Sequence, residues 1–144
     1  MLRRRWWLSV LAAVAVIGLI GVGVARAVQR VRYGDIHTDG GSPVVAGPGH
    51  RFALAVPDRG ASVGDHWTAT VAPDGIVALV RSEQVAGNIV DRLIGPAVGG
   101  GAGTRYFVFA ARRAGTVVIT LHNCFRGCDR GADRRDTVWA VTVR

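Results

Sequence analysis

The chain has 144 residues, room for one domain and a short extension, and 49% of them are hydrophobic. Its formal charge of +8 resembles a nucleic-acid signature until it is divided. Residues 1–32 hold six arginines and no acid, whereas residues 33–144 hold twelve arginines against ten acids, so the basic excess flanks an apolar segment and argues against a DNA or RNA partner.

Taken in chain order, residues 1–5 form a basic tail containing Arg3, Arg4 and Arg5. From Trp6 to Ala25 there is no charged residue. A helix of that length, at about 1.5 Å per residue, covers the roughly 30 Å hydrocarbon core of a bilayer. The arginines before it favour a cytoplasmic N-terminus and export of all that follows. The expectation is a single-pass membrane anchor over 6–25 with an extracytoplasmic C-terminal domain. Ala25-Arg26-Ala27 keeps a cleaved signal, and hence secretion, open as the alternative.

Residues 26–48 read as a linker, with Gly34, Gly40, Gly41, Ser42, Pro43, Gly47 and Pro48 breaking any period and a short edge strand at Val44–Ala46. Beyond it, strand patterns recur. Phe52, Leu54 and Val56 alternate on one face, as do Trp67, Ala69 and Val71. The turn Ala72-Pro73-Asp74-Gly75 sets off an apolar run at Ile76–Val80. Glu83–Ile94 is the nearest approach to a helical period. A glycine-dense loop then opens into Thr104–Ala110, with Phe107 and Phe109 on one face. A basic turn leads into Thr116–Leu121, with Val117, Ile119 and Leu121 together, and the two strands read as a β-hairpin. The last strand, Thr137–Arg144, places Trp139, Val141 and Val143 on a common face.

Short strands separated by turn signals over about 95 residues predict an all-β, immunoglobulin-like sandwich for residues 49–144. Trp67 is the candidate for the buried tryptophan of such folds. Cys124 and Cys128, the only cysteines, lie on the exported side, where an isolated even pair favours a disulfide that rigidifies one loop. A zinc site with His122 as third ligand is the alternative. His37, His50, His66 and His122 show no metal-ligand spacing. Ser62, Asp65 and His66 are too close along one turn for a nucleophile, base and orienter. The glycine loop lacks a P-loop's Lys-Ser/Thr and a dinucleotide site's following helix. No cofactor and no enzymatic activity are expected.

With these elements in place, the region from about Gly49 to Arg144 resembles the chagasin family of cysteine-peptidase inhibitors. The resemblance rests on Gly49-x-x-Phe52-x-Leu54-x-Val56-Pro57 entering a loop that ends in Gly64-x-x-Trp67. It continues with the glycine loop, Thr104-x-x-Phe107-x-Phe109-Ala110, and Ala114-Gly115-Thr116. It implies three loops at one end of the sandwich that block the cleft of a papain-like peptidase. In this sequence they are 58–66, 95–103 and 124–130.

The first loop places Ser62 where the family has a threonine hydroxyl and keeps Gly64, with Gly60 and Ala61 as small neighbours, but lacks an Asn-Pro start. The second keeps its glycines as Gly99, Gly100, Gly101 and Gly103. The third holds Phe125 and Arg126 between the cysteines in place of Arg-Pro-Trp. Small residues permit close approach to a cleft that accepts extended backbone. Preorganised loops lower the entropy cost of binding, and Phe and Arg are enriched in interfaces. The function implied is reversible inhibition of papain-like cysteine peptidases. The alternative is a non-inhibitory module of the cell envelope that binds another envelope protein. The mixed-charge stretch from Asp129 to Asp136 suits the polar rim of either surface.

Overall fold

The computed structural model describes residues 24, 27–87, 102–126 and 134–144. The chain divides into a unit over Met1–Arg32 and a unit over Tyr33–Arg144. The expected membrane segment 6–25 lies, but for residue 24, outside the described residues. Among those described, no helix is long and apolar enough to cross a bilayer. Residues 27–32 are helical, where a linker was expected.

The described residues of the second unit form eight strands: β1 (Asp35–His37), β2 (Val44–Ala46), β3 (Arg51–Asp58), β4 (Asp65–Ala72), β5 (Val77–Ala86), β6 (Gly103–Ala111), β7 (Gly115–Phe125) and β8 (Arg134–Val143). They form two four-stranded sheets, ordered β1-β3-β6-β5 and β2-β8-β7-β4. β1 runs parallel to β3 and β2 parallel to β8, and every other pairing is antiparallel. The β-sandwich expectation holds in its strand content and two sheets.

Period-two alternation explains the core. Phe52, Leu54 and Val56 of β3 and Phe107 and Phe109 of β6 are buried from one sheet. Val117, Ile119 and Leu121 of β7 and Trp139, Val141 and Val143 of β8 are buried from the other. Phe52 and Phe109 face each other in register, with ring centroids 5.5 Å apart. A smaller cluster of Tyr33, Ala53 and Val108 lies on the opposite face of β3 and β6, with Tyr33 stacked on Tyr106 at 4.5 Å.

Several expectations are corrected. Thr104–Ala110 and Thr116–Leu121 are not a hairpin, because β6 and β7 belong to different sheets. Both edges of β6 are already taken, by β3 and β5. The turn after it therefore carries the chain across the sandwich, and the two apolar faces meet through the core.

The short edge strand expected at Val44–Ala46 is β2, with Val44 and Ala46 buried, and the stretch expected as linker contributes a further strand, β1. Three residues are too few to show a period, and pairing with neighbouring strands orders them. Among the described residues Trp139, not Trp67, is the fully buried tryptophan; Trp67 packs only partly against the core. Glu83 to Ala86 belong to β5, Gly87 follows as a bend, and residues 88–94 of that candidate helical stretch lie outside the described residues.

Candidate functional site

The strand ends that flank the three expected loops lie at one end of the sandwich. β3 ends at Asp58 and β5 at Ala86, and both pair with Gly103, the first residue of β6. In the other sheet β4 begins at Asp65 opposite Phe125, the last residue of β7, and β8 begins at Arg134 opposite Cys124. The connections 59–64, 87–102 and 126–133 thus leave from the same edge of the two sheets, and the first of them joins the sheets.

The first connection is held from both sides by buried carboxylates. Asp58 is buried, accepts a hydrogen bond from the Gly60 amide at 2.7 Å and forms an ion pair with Arg105 of β6. Asp65 is also buried and accepts from Arg59 three times: from its amide at 2.9 Å, its Nε at 3.1 Å and its Nη2 at 2.7 Å. Hydrogen bonds to the charged form favour it. The Arg59 side chain therefore holds the Asp65 carboxyl at about 2, helped by the Arg59 amide and the Asn123 side chain and opposed by burial.

Between these anchors the chain turns tightly. Val63 N donates to Gly60 O at 3.1 Å and Gly64 N to Ala61 O at 3.0 Å. Gly60 and Gly64 have φ of 97° and 109°, a left-handed conformation open to glycine at no steric cost. Ala61, Ser62 and Val63 stand exposed at the tip.

The same anchors tie the first loop to the third. The Arg59 guanidinium lies 4.6 Å from the Phe125 ring centroid, and that of Arg126 lies 5.0 Å from it. Arg126 N donates to Gly64 O at 2.7 Å, with Arg126 itself at a φ of 57°. A Cβ on Gly64 would sit 2.8 Å from Arg126 Cγ. Gly60, Ala61, Ser62, Gly64, Phe125 and Arg126 are thus brought together as one surface. Gly103 sits at its base, paired with Asp58.

Gly99, Gly100, Gly101 and Cys128 lie outside the described residues. Cys124 is buried and is not a free thiol.

Sequence reasoning missed Asp58, Arg59, Asp65 and Arg105, which order the loop, and Val63, which is 45% exposed at its tip. The available signal was an aspartate at each end of a glycine loop with an arginine beside the first. The zinc alternative is not supported by His122, whose Nε2 lies 3.0 Å from Thr70 Oγ1 and whose Nδ1 lies 2.8 Å from Asp136 Oδ1. Among the described residues no cluster of metal-ligating side chains occurs.

Thr70, His122 and Asp136 do stand in the order of a hydroxyl, a base and an orienting carboxylate. Asp136 is shared with Arg134, however, whose Nε donates to the same oxygen at 3.0 Å. The group lies exposed on the outer face of its sheet, which offers a substrate little enclosure. It is read as a surface hydrogen-bond network. Ser62, Asp65 and His66 form no triad, since Asp65 is committed to Arg59.

Solved structures share the fold of this domain. The cysteine protease inhibitor EhICP2 from Entamoeba histolytica superposes with a TM-score of 0.59 at 17% identity, over 76% of this chain and 95% of that one. Amebosin gives a TM-score of 0.57 at 16% identity, over 76% and 96% of the two chains. The fold is chagasin-like. PbICP-C, solved in complex with falcipain-2, matches with a TM-score of 0.50 at 11% identity, over 76% of this chain and 88% of that one. No protein-family model and no curated protein sequence matches the chain.

Proposed function

We propose that the chagasin-like domain is a reversible inhibitor of papain-like cysteine peptidases, acting through the loops 58–66, 95–103 and 124–130. The observation that carries this reading is the locking of the first loop to the third. Arg59 binds Asp65 and stacks on Phe125, while Arg126 bonds Gly64. Such preorganisation lets an exposed tip of Ala61, Ser62 and Val63 enter a cleft without a large ordering cost. The tip presents small side chains to a site built for extended backbone, and Phe125 and Arg126 supply interface-type contacts beside it. Gly99, Gly100 and Gly101 form the second contact in this reading. A bond between Cys124 and Cys128 further stiffens the third loop. That EhICP2 is a cysteine protease inhibitor and that PbICP-C forms a complex with falcipain-2 support the same reading.

Titration of residues 33–144 against a panel of papain-family peptidases, followed with a fluorogenic substrate, tests it. Active-site-directed inhibition is expected, weakened by Ser62→Arg and by Gly100→Glu. A folded domain that leaves every enzyme active at micromolar concentration refutes it. That outcome favours the envelope-binding module, which the missing Asn-Pro and Arg-Pro-Trp elements also suit.

We also propose that residues 6–25 anchor the protein in the cell membrane with this domain outside the cytoplasm. The motive is the uncharged run behind Arg3–Arg5. A C-terminal reporter active only after export is expected to be active, and activity of a cytoplasm-specific reporter overturns the topology. Sequencing the N-terminus of the mature protein separates anchor from cleaved signal.

A further inference from the structure

The two long edge strands of the sandwich differ in how they are guarded. β5 carries Arg81 and Glu83, paired at 3.5 Å, and its register with β6 slips between Leu79 and Arg81. Charge and a bulge are the devices that keep a sheet edge from recruiting another strand. β4 has neither between its ends. His66 to Ala72 include no arginine, acid or proline, and they pair with β7 without a break.

Register identifies which backbone groups of β4 are open. Arg126 N donates to Gly64 O, so Gly64 and Arg126 form a hydrogen-bonded pair one step beyond Asp65 and Phe125. Antiparallel pairs alternate between bonded and non-bonded. His66, Thr68, Thr70 and Ala72 therefore direct their amides and carbonyls to β7, and Trp67, Ala69 and Val71 direct theirs away from it. The Asp65 amide, on that outer side, is already bonded to Gly60 O at 3.2 Å. Past Ala72, Pro73 has no N–H. The open template is thus Trp67–Val71, and among the described residues no further backbone hydrogen bond reaches it.

We propose that this edge is a homodimer interface, in which β4 of two copies pairs antiparallel about a twofold axis at Ala69. The template is complementary to itself. With Ala69 opposite Ala69 of the second copy, Trp67 meets Val71 on the inner face and Thr68 meets Thr70 on the outer face. Aromatic against β-branched and Thr against Thr are both favourable cross-strand pairs. Trp67–Val71, Ala69–Ala69 and Val71–Trp67 are then the bonded pairs, each exchanging both of its hydrogen bonds.

No like charges are brought opposite one another along Trp67–Val71. The Trp67 indole, whose Nε1 is buried with no hydrogen-bond partner, lies at the seam. The pairing is isologous, as a twofold contact requires, and it fuses two four-stranded sheets into one. Because the strands run in opposite directions, the loop ends of the two copies point apart and stay open. The inference is independent of what those loops bind.

Sedimentation velocity of the full chain in density-matched detergent tests it. A monomer–dimer equilibrium is expected, with apparent mass rising over the micromolar range. Ala69→Pro removes an N–H that β7 does not use and is expected to leave a monomer with unchanged circular dichroism. Thr68→Lys with Thr70→Lys provides a second, outward-facing variant should the proline prevent folding. That variant is expected to be monomeric alone and to form a heterodimer when mixed with Thr68→Asp/Thr70→Asp. A full chain that stays monomeric up to millimolar concentration overturns the proposal. So does a dimer that persists in both variants, or a monomer whose β4 edge takes up a strand from another protein instead.

Discussion

Replacing Asp65 with asparagine tests whether one buried carboxylate orders the loop end. The substitution keeps the shape of the side chain and removes the charge that Arg59 meets through its amide, Nε and Nη2. The Asp65 carboxyl lies at about 2 instead of 3.8, a difference of about 2.4 kcal/mol at about 1.36 kcal/mol per pH unit. The Arg59 side chain is 48% exposed, so water screens the pair, and about 1–2 kcal/mol is the better expectation.

For a unit of this size that loss lowers the melting temperature by about 4–8 °C at pH 7. Because the folded-state value is depressed, the stabilisation is present above the unfolded-state value near 4. It fades as pH falls through about 2. Thermal melts of wild type and Asp65→Asn from pH 7 to pH 2 are therefore expected to converge at the acid end. Equal melting at pH 7, or a gap that persists unchanged to pH 2, refutes the assignment.

Gly64→Ala is expected to cost about 1–3 kcal/mol in chemical denaturation. It forces a side chain onto a φ of 109° and against Arg126. Gly41→Ala, at a φ of 86° with nothing within 4 Å, isolates the backbone part, and a cost equal to that of Gly64→Ala argues that the Arg126 contact contributes nothing. Trp139→Ala is expected to cost about 3–5 kcal/mol in urea unfolding, and Trp67→Ala distinctly less. The reverse order contradicts the placement of Trp139 in the core.

The strand faces were legible because period two and large apolar side chains are local signals. Phe52-x-Leu54-x-Val56 and Val117-x-Ile119-x-Leu121 lie where alternation puts them. Pairing partners were not legible. Alternation says which face of Thr104–Ala110 is buried, but it carries no information on whether the next strand joins the same sheet or crosses to the other. That choice depends on β3, some fifty residues earlier in the chain, taking one edge of β6.

At the candidate site, Gly60, Gly64, Phe125 and Arg126 were reached through the resemblance to the chagasin family. The carboxylates that hold them together were not. An aspartate next to a glycine reads equally as a solvated turn, and only the tertiary approach of Arg105 to Asp58 distinguishes the two.

The parallel pairing of β2 with β8 joins a strand near the entry of the domain to the last of its eight described strands. Suppose the N-terminal side is held and the C-terminus is pulled. Once β1 is stripped away, the load on that pair runs lengthwise along both strands in opposite senses. Val44, Val45 and Ala46 then resist together against Val141, Thr142 and Val143, instead of opening one bond at a time as a peeled hairpin does. Under such a load, that placement turns a ladder of three residues into a mechanical clasp.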